Sequence, residues 1–207
     1  MGKSDDWAEY YDVAGKGEPR ETLLLALELF DSEPDPVGGR FAIDLGCGEG
    51  RDTVELLRRG WRVLAIDGEP EAIGRLRARP GLAENDRLET AISPFEELDW
   101  RAAALVSSSY ALPFCPPGAF PAVWERLVAS IVPGGRFCGQ LFGDRDEWAS
   151  DPALSVHSRA EAESLLEPFE LERFDEVEED GSTAVGDPKH WHLFHVVARK
   201  HWPLTSI

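Results

Sequence analysis

The chain has 207 residues, of which 43% are hydrophobic and 29% charged, a composition typical of a folded domain with a substantial core. Its formal net charge is −18, from 21 basic and 39 acidic residues. Because an acidic surface repels phosphate groups, we expect neither nucleic acids nor anionic membranes as partners. No apolar run reaches the ~20 residues that a membrane span needs, and the first residues lack the apolar core of a secretory signal.

The three cysteines, Cys47, Cys115 and Cys138, are odd in number and far apart, which predicts neither a disulfide framework nor a zinc site. Free thiols are typical of reducing compartments. We therefore expect a cytoplasmic protein without a resident metal, either a monomer or a homodimer.

The N-terminal region predicts two helices, over residues 4–16 and 21–30. The first carries three aromatic side chains at helical spacing: Trp7, Tyr10 and Tyr11. Glycines at positions 15 and 17 are suited to a hinge. We expect residues 1–33 to form a helical lid over a ligand; a simple packing helix is the alternative.

From residue 38 onward, strand and helix patterns alternate, which predicts a parallel sheet with helices on both faces. The strands are expected at residues 41–45, 62–66, 87–92, 102–108 and 136–142, and the helices at 52–59, 70–79, 120–131 and 159–167. Two extended segments, 170–179 and 190–199, follow without a helix between them and predict an antiparallel hairpin at the sheet edge. Residues 1–207 are thus expected to form one α/β domain with its core over 38–200.

The strongest chemical signal is Asp44-Leu45-Gly46-Cys47-Gly48-Glu49-Gly50, where the first strand meets a helix. Glycines allow close approach of the backbone to a ligand, and the helix start suits an anionic group. Asp67 ends the second strand, where a carboxylate can accept hydrogen bonds from both hydroxyls of a ribose. The glycine spacing differs from the dinucleotide G-x-G-x-x-G, and the preceding Asp44 favours a positively charged ligand. An ordinary glycine turn is the plain alternative.

This segment, together with Arg51-Asp52 and the strand end Ala65-Ile66-Asp67, resembles the first two motifs of class I S-adenosylmethionine-dependent methyltransferases. It is most similar to their small-molecule branch of tellurite-resistance and thiopurine methyltransferases. Pro133-Gly134-Gly135-Arg136-Phe137 is similar to the family's turn before strand five. The resemblance implies S-adenosyl-L-methionine as cofactor. It also implies a Rossmann-like, doubly wound sheet of seven strands, six parallel and the terminal one antiparallel.

The resemblance also implies the position of the cofactor. The glycine segment and the end of the fourth strand would meet its methionine end, Asp67 its ribose, and the loop after the third strand its adenine. The expected cofactor-binding residues are Asp44, Gly46, Cys47, Gly48, Asp67, Gly68, Glu69, Ser93, Phe95, Ser107 and Ser108. Whether the adenine is held by Ser93, Glu96 or a backbone group stays open.

The segment after the fourth strand, Ser109-Tyr110-Ala111-Leu112, lacks the Asn/Asp-Pro-Pro-aromatic tetrad of nucleic-acid amino methyltransferases. With the acidic charge, this predicts a small-molecule acceptor. Methyl transfer from a sulfonium is an in-line displacement that depends on orientation and exclusion of water. A general base helps only where the nucleophile loses a proton. The candidates for that base are Tyr11, His190 and His192, with ordinary edge-strand histidines as the alternative.

Three functions are open at this point. The first is a methyltransferase that acts on a small molecule. The second is a non-catalytic S-adenosylmethionine-binding protein, and the third is an NAD-dependent oxidoreductase. The glycine spacing and the lack of a Tyr-x-x-x-Lys pair weigh against the third. The sequence does not identify the acceptor or its nucleophilic atom.

Overall fold

The computed structural model describes residues 17–98 and 100–203. Its strands are β1 (Phe41–Leu45), β2 (Arg62–Asp67), β3 (Leu88–Ile92), β4 (Ala103–Ser108), β5 (Ile131–Gly143), β6 (Val156–His157), β7 (Phe169–Ser182) and β8 (Pro188–Lys200). Its helices are α1 (Glu21–Asp31), α2 (Arg51–Arg58), α3 (Pro70–Ala78), α4 (Phe120–Ser130) and α5 (Arg159–Leu165).

Seven long strands form the sheet in the order β3-β2-β1-β4-β5-β8-β7, and the two-residue β6 pairs with β5. The first five strands are parallel, and β8 runs antiparallel to both of its neighbours. Six long strands therefore share one direction and β8 is reversed, so the predicted sheet is confirmed. The order reverses between β1 and β4, and open α/β sheets bind ligands at such a switch point.

Helices cover both faces of the sheet. One apolar cluster joins α1, α2 and α3 to side chains such as Ala42 and Val63, and the other joins α4 and α5 to side chains such as Ile43 and Leu64. Neighbouring residues in a strand thus enter opposite layers, as the two-residue period of a strand requires. No helix within the described residues is long and apolar enough to cross a membrane.

Helix α1 belongs to the core, which corrects the predicted extent of the lid. Leu23, Ala26 and Leu27 are fully buried and Phe30 is 2% exposed. These positions form the i, i+3, i+4, i+7 stripe by which an amphipathic helix packs on a core. The first part of the predicted lid, including Tyr11, lies outside the described residues.

Strand β5 begins at Ile131, five residues before the predicted start. The segment expected as a turn lies inside the strand, where the pairing with β4 shifts register: Ala103 is opposite Ile131 and Leu105 is opposite Arg136. Gly134 has a φ of 76° there. A bulge of this kind lets a strand absorb turn-like residues without ending.

Candidate functional site

The glycine segment forms a tight turn between β1 and α2. Gly46 and Gly48 have φ angles of 70° and 55°, which glycine adopts without the strain that a Cβ adds. At Gly46, a Cβ would lie 2.1 Å from the Ala111 Cβ. The N–H groups of Gly46 and Cys47 donate to the Ile66 carbonyl at 2.8 and 2.9 Å. The turn is therefore held against the end of β2 and passes close beneath the segment that follows β4.

Asp67, at the end of β2, binds this turn through its carboxylate. Its Oδ2 accepts the Gly48 N–H at 2.8 Å and its Oδ1 accepts the Glu69 N–H at 2.9 Å. Burial raises the pKa of Asp67, and the N–H groups of Glu69, Gly48 and Gly68 partly oppose that effect. Each carboxylate oxygen can accept about two hydrogen bonds, so with these N–H donors present the carboxylate keeps capacity for a further hydroxyl donor.

A cavity of about 350 Å³ opens beside Asp67, within the range of small-molecule sites. Six predicted cofactor residues line it: Gly46, Asp67, Gly68, Glu69, Ser93 and Phe95. The other lining residues are Ile66, Pro94, Glu96, Phe114 and Pro116. The cavity thus combines apolar walls with carboxylates at the carboxyl ends of the parallel strands, which suits a flat ring attached to a sugar.

A buried acidic network lies behind the turn. Asp44 is 2% exposed and accepts a hydrogen bond from the Thr53 hydroxyl. Asp52 accepts the Ser109 hydroxyl at 2.6 Å and the Arg20 backbone N–H at 3.0 Å. Desolvation and, after it, the charge of Asp52 raise the pKa of Asp44 to about 7. This end of the site therefore favours a positively charged ligand group.

Three predicted cofactor residues have side chains that lie behind the turn instead of lining the cavity. The Cys47 side chain is in the apolar core, 8% exposed. Ser107 is fully buried and pairs in register with Asp44. The Ser108 hydroxyl donates to the Leu45 carbonyl at 3.2 Å. These three side chains support the turn from within the core, and cofactor contact at these positions stays a prediction.

His190 and His192 do not reach the cavity. His190 lies on the β7–β8 hairpin, with Nδ1 2.7 Å from Asp180 Oδ1. His192 is fully buried, its Nδ1 accepts the Arg145 N–H at 3.1 Å, and its Nε2 is 3.0 Å from Glu176 Oε1. The structure gives the predicted role of His192 as a general base no support, because both ring nitrogens are engaged within the protein. The contacts of His190 give the same role no support.

Aromatic side chains surround one end of the site. Five of them have ring centroids 5.8 to 6.5 Å from their neighbours, and we name them the aromatic wall: Tyr110, Phe114, Phe142, Trp148 and Trp191. Phe114 also lines the cavity. The wall is therefore continuous with the cavity, although its members come from four separate segments of the chain.

A buried ion pair lies inside the aromatic wall. The Lys189 ammonium contacts the carboxylate of Asp146, and both side chains are at most 1% exposed. The Lys189 Nζ is 3.6 Å from the Trp191 ring centroid and 4.4 Å from that of Trp148. The Asp146 carboxylate also accepts the Trp148 N–H at 2.9 Å and the His192 N–H at 3.1 Å. The pair therefore fastens the loop after β5 to the start of β8.

Sequence reasoning missed Arg20 and the conformation of Tyr110. The Arg20 guanidinium lies 4.4 Å from the Tyr110 ring centroid, and its Nε is buried without a hydrogen-bond partner among the described residues. Tyr110 has a φ of 58°, unlike any other described residue except glycines, and its N–H donates to Gln140 Oε1 at 3.1 Å. The sequence indicated these two residues only weakly, because Arg20 is an arginine at the start of a core helix and Tyr110 is a tyrosine just after a strand.

Comparisons with known proteins agree with this geometry. Residues 42–135 match a family model described as a methyltransferase domain. The chain is 31% identical over 102 residues to carboxy-S-adenosyl-L-methionine synthase of Chromohalobacter salexigens, a match that covers 47% of this chain and 38% of that protein. The chain thus spans well under two thirds of this curated relative.

Two solved structures are similar in fold. TehB from Haemophilus influenzae superposes with a TM-score of 0.70 at 15% identity, over 84% of this chain and 61% of that one. The second structure is the 1,6-didemethyltoxoflavin-N1-methyltransferase of Burkholderia thailandensis with bound 1,6-didemethyltoxoflavin and S-adenosylhomocysteine. It superposes with a TM-score of 0.64 at 25% identity, over 96% of this chain and 82% of that one. The chain thus shares the fold of these solved structures, and residues 42–135, which include the glycine turn, are similar to a methyltransferase domain.

Proposed function

We propose that this chain transfers the methyl group of S-adenosyl-L-methionine to a small-molecule acceptor. The observation that supports this most is the arrangement at Asp67. Its carboxylate holds the glycine turn, borders the 350 Å³ cavity and keeps capacity to accept a hydroxyl donor. A ribose placed there has its base in the cavity and its 5′ end directed toward Gly46.

The adenosine half of the cofactor fits the residues that line the cavity. Asp67 accepts the two ribose hydroxyls, and the backbone at Gly68 and Glu69 borders the base. Ser93 and Phe95 flank the adenine ring, and the Glu96 carboxylate, on the same lining, is our candidate acceptor for the adenine amino group. The sequence predicted these roles but left open whether Ser93, Glu96 or a backbone group holds the adenine. We now favour Glu96 for that contact.

The methionine half fits the opposite end of the turn. The buried carboxylates of Asp44 and Asp52 face the side where the cofactor carries its ammonium and sulfonium charges. We assign the cofactor carboxylate to Arg20, because its backbone N–H binds Asp52 of this network and its buried Nε has no hydrogen-bond partner among the described residues. Charge-assisted hydrogen bonds of arginine to carboxylates are among the strongest polar contacts in proteins.

When bound, the cofactor supplies a methyl carbon that accepts an electron pair in line with the departing sulfur. The residues of this chain position that carbon: the glycine turn fixes the sulfur, and the loop of Ser109 and Tyr110 approaches from the acceptor side. Orientation and exclusion of water supply most of the rate in such a displacement. Tyr11, the third candidate base, stays a prediction because it lies outside the described residues.

The remaining expectations form part of the same proposal. The acceptor is a small molecule and not a nucleic acid, since the net charge is −18. The protein is cytoplasmic, because Cys47, Cys115 and Cys138 are all free thiols of the kind that reducing compartments preserve. It acts as a single methyltransferase domain, as a monomer or a homodimer, without a resident metal.

The cofactor assignment is tested by calorimetry with three ligands: S-adenosylhomocysteine, 5′-methylthioadenosine and NAD. The first has an amino-acid end, whereas 5′-methylthioadenosine has only the adenosine and a thioether. We expect Arg20→Met to weaken the binding of S-adenosylhomocysteine about tenfold or more, because a hydrogen bond to a charged group worth ~1.5–3 kcal/mol is lost. The affinity for 5′-methylthioadenosine should stay unchanged. Asp67→Asn should weaken both, because both carry the ribose.

The outcomes separate the three functions. Binding of NAD alone would refute the methyltransferase proposal in favour of an oxidoreductase. Binding of S-adenosylhomocysteine without methyl transfer to any compound of an acceptor panel would favour a non-catalytic cofactor-binding protein. Equal loss of both adenosine ligands in Arg20→Met would show that this arginine supports the fold and does not contact the carboxylate.

A further inference from the structure

We infer that Gln140 is a positioning residue for the proposed methyl transfer. Its side chain holds the backbone of Tyr110 in the strained conformation that places the Tyr110 ring beside the Arg20 guanidinium. Gln140 does not line the cavity and acts through these two residues. Because the proposed function assigns the cofactor carboxylate to Arg20, this role of Gln140 rests on the proposed function.

The partners of the Gln140 amide give it one orientation. The residue lies in β5 and is 1% exposed. A backbone N–H can only donate, and the N–H of Tyr110 lies 3.1 Å from Oε1, so the amide oxygen faces Tyr110. The amide nitrogen donates to Thr22 Oγ1 at 3.1 Å and lies 3.5 Å from His195 Nδ1. Gln140 thus joins the loop after β4 to the first turn of α1.

Tyr110 needs such a contact because its backbone is strained. Its φ of 58° lies in the left-handed region, which is sterically unfavourable for a residue with a bulky side chain. A conformation of this kind persists only where the surrounding structure holds it. Here the Gln140 amide oxygen accepts the N–H of the strained residue itself. Without that bond we expect the backbone to relax toward negative φ, which would displace the Tyr110 ring.

The Tyr110 ring in turn orients the Arg20 side chain. The Arg20 guanidinium lies 4.4 Å from the ring centroid, within the range of cation–π attraction. The Arg20 Nε is buried and has no hydrogen-bond partner among the described residues. The ring contact therefore helps to fix the direction in which this nitrogen points, and a displaced ring would leave the guanidinium misplaced for a carboxylate.

Asp52 makes a second connection between the same two segments. Its carboxylate accepts the Arg20 backbone N–H at 3.0 Å and the Ser109 hydroxyl at 2.6 Å. Two buried bridges resist rotation of one segment against the other, so the start of α1 and the loop after β4 are held as one unit. Asp52 belongs to the acidic network that we propose to face the cofactor cation. Gln140 is therefore the bridge that can be removed without removing a charge from the site.

The test measures the binding of S-adenosylhomocysteine and 5′-methylthioadenosine by calorimetry. Gln140→Met keeps the length of the side chain and removes its hydrogen bonds. We expect the variant to bind S-adenosylhomocysteine about fivefold more weakly, because a buried hydrogen bond is lost, and to bind 5′-methylthioadenosine as the wild type does. Leu141→Met is the matched control. It introduces methionine at the next buried position of β5 without removing a hydrogen bond, and both affinities should stay unchanged.

A double substitution separates positioning from general support of the fold. If Gln140 acts through Arg20, a protein that already carries Arg20→Met has lost the group that Gln140 positions. The effect of Gln140→Met on S-adenosylhomocysteine should then fall from about fivefold to about one, because substitutions that act through one contact are not additive. Two independent contributions would instead multiply.

The outcomes distinguish this role from the proposed function. Failure of the wild type to bind S-adenosylhomocysteine would overturn both. If the wild type binds it, three results would overturn the positioning role alone: equal weakening of both ligands by Gln140→Met, no weakening of either, or an undiminished effect in the Arg20→Met protein. If Gln140→Met does not fold, Thr22→Val replaces it, because it removes the acceptor of the Gln140 amide nitrogen and keeps the side-chain shape. The same selective loss is expected there, and its absence would overturn the role.

Discussion

Substitution of Asp44 by Asn tests the buried acidic network directly. In the folded chain the carboxyl of Asp44 has a pKa raised from 3.8 to about 7, by desolvation first and by the charge of Asp52 second. Below pH 4 the folded and unfolded chains both hold the proton. As the pH rises above 4, the unfolded chain releases it while the folded chain retains it, so the free energy of unfolding falls until about pH 7.

The size of this effect follows from the two pKa values. Each pH unit between them contributes ~1.4 kcal/mol, so wild-type protein should lose ~3 kcal/mol between pH 5 and pH 8 through this one group. Asp44→Asn cannot ionise, and its amide oxygen can still accept the Thr53 hydroxyl. The difference in unfolding free energy, variant minus wild type, should therefore increase by ~3 kcal/mol over that range.

Urea denaturation at pH 5, 6, 7 and 8 measures the free energy of unfolding of both proteins. Subtracting the wild-type value from the variant value removes the contributions of titrating groups that behave alike in both proteins. Asp86→Asn, a change of an exposed carboxylate, is the matched control. A difference for Asp44→Asn that stays constant from pH 5 to 8 would refute the reasoning, since Asp44 would then be solvated in the folded protein. With the proposed cofactor, wild-type affinity for S-adenosylhomocysteine should also rise from pH 5 to 7, because its ammonium favours the ionised carboxylate.

Two other substitutions follow from the geometry of the site. Lys189→Met leaves the buried carboxylate of Asp146 without its cation, so the free energy of unfolding measured with urea should fall by ~3 kcal/mol. The control Arg159→Met removes only exposed ion pairs and should lower it by at most ~1 kcal/mol. Equal losses in the two variants would contradict the importance of the buried pair. Gly46→Ala should abolish S-adenosylhomocysteine binding in calorimetry, because its Cβ would lie 2.1 Å from the Ala111 Cβ. Adding Ala111→Gly should recover only part of the binding, because the φ of 70° still disfavours alanine; full recovery would show that backbone strain is unimportant there.

The glycine turn and the position of Asp67 could be predicted because they depend on local rules. Glycine at positions 46 and 48 is required by the turn conformation itself, and Asp67 is placed by the end of a strand. Strand ends, turn glycines and helix starts are close together in the chain, so their spacing survives in the sequence. The same rules predicted a parallel sheet with helices on both faces and a terminal hairpin, because alternating strand and helix patterns leave few arrangements. The number of seven strands was implied by the family resemblance.

Sequence patterns were a poorer guide where side-chain direction depends on distant residues. His192 and His190 share one face of β8, as the period of two requires, but that face meets Glu176 and Asp180 of β7 instead of the cavity. Helix α1 has the same amphipathic pattern whether it covers a ligand or a core. Only its packing against the sheet shows that it is a core helix.

The two ends of the site also differ in how a change of function would arise. The glycine turn and Asp67 are joined by backbone N–H groups that bind one carboxylate, and this arrangement is set by local conformation. The aromatic side chains nearby come from the loops after β4 and β5 and from the start of β8, which only the folded sheet brings together. Lys189 and Asp146 are 43 residues apart, and no local pattern links them. Substitutions in these loops can therefore change the surface around the cavity while the glycine turn stays intact, which is why the sequence motif predicts the cofactor but not the acceptor.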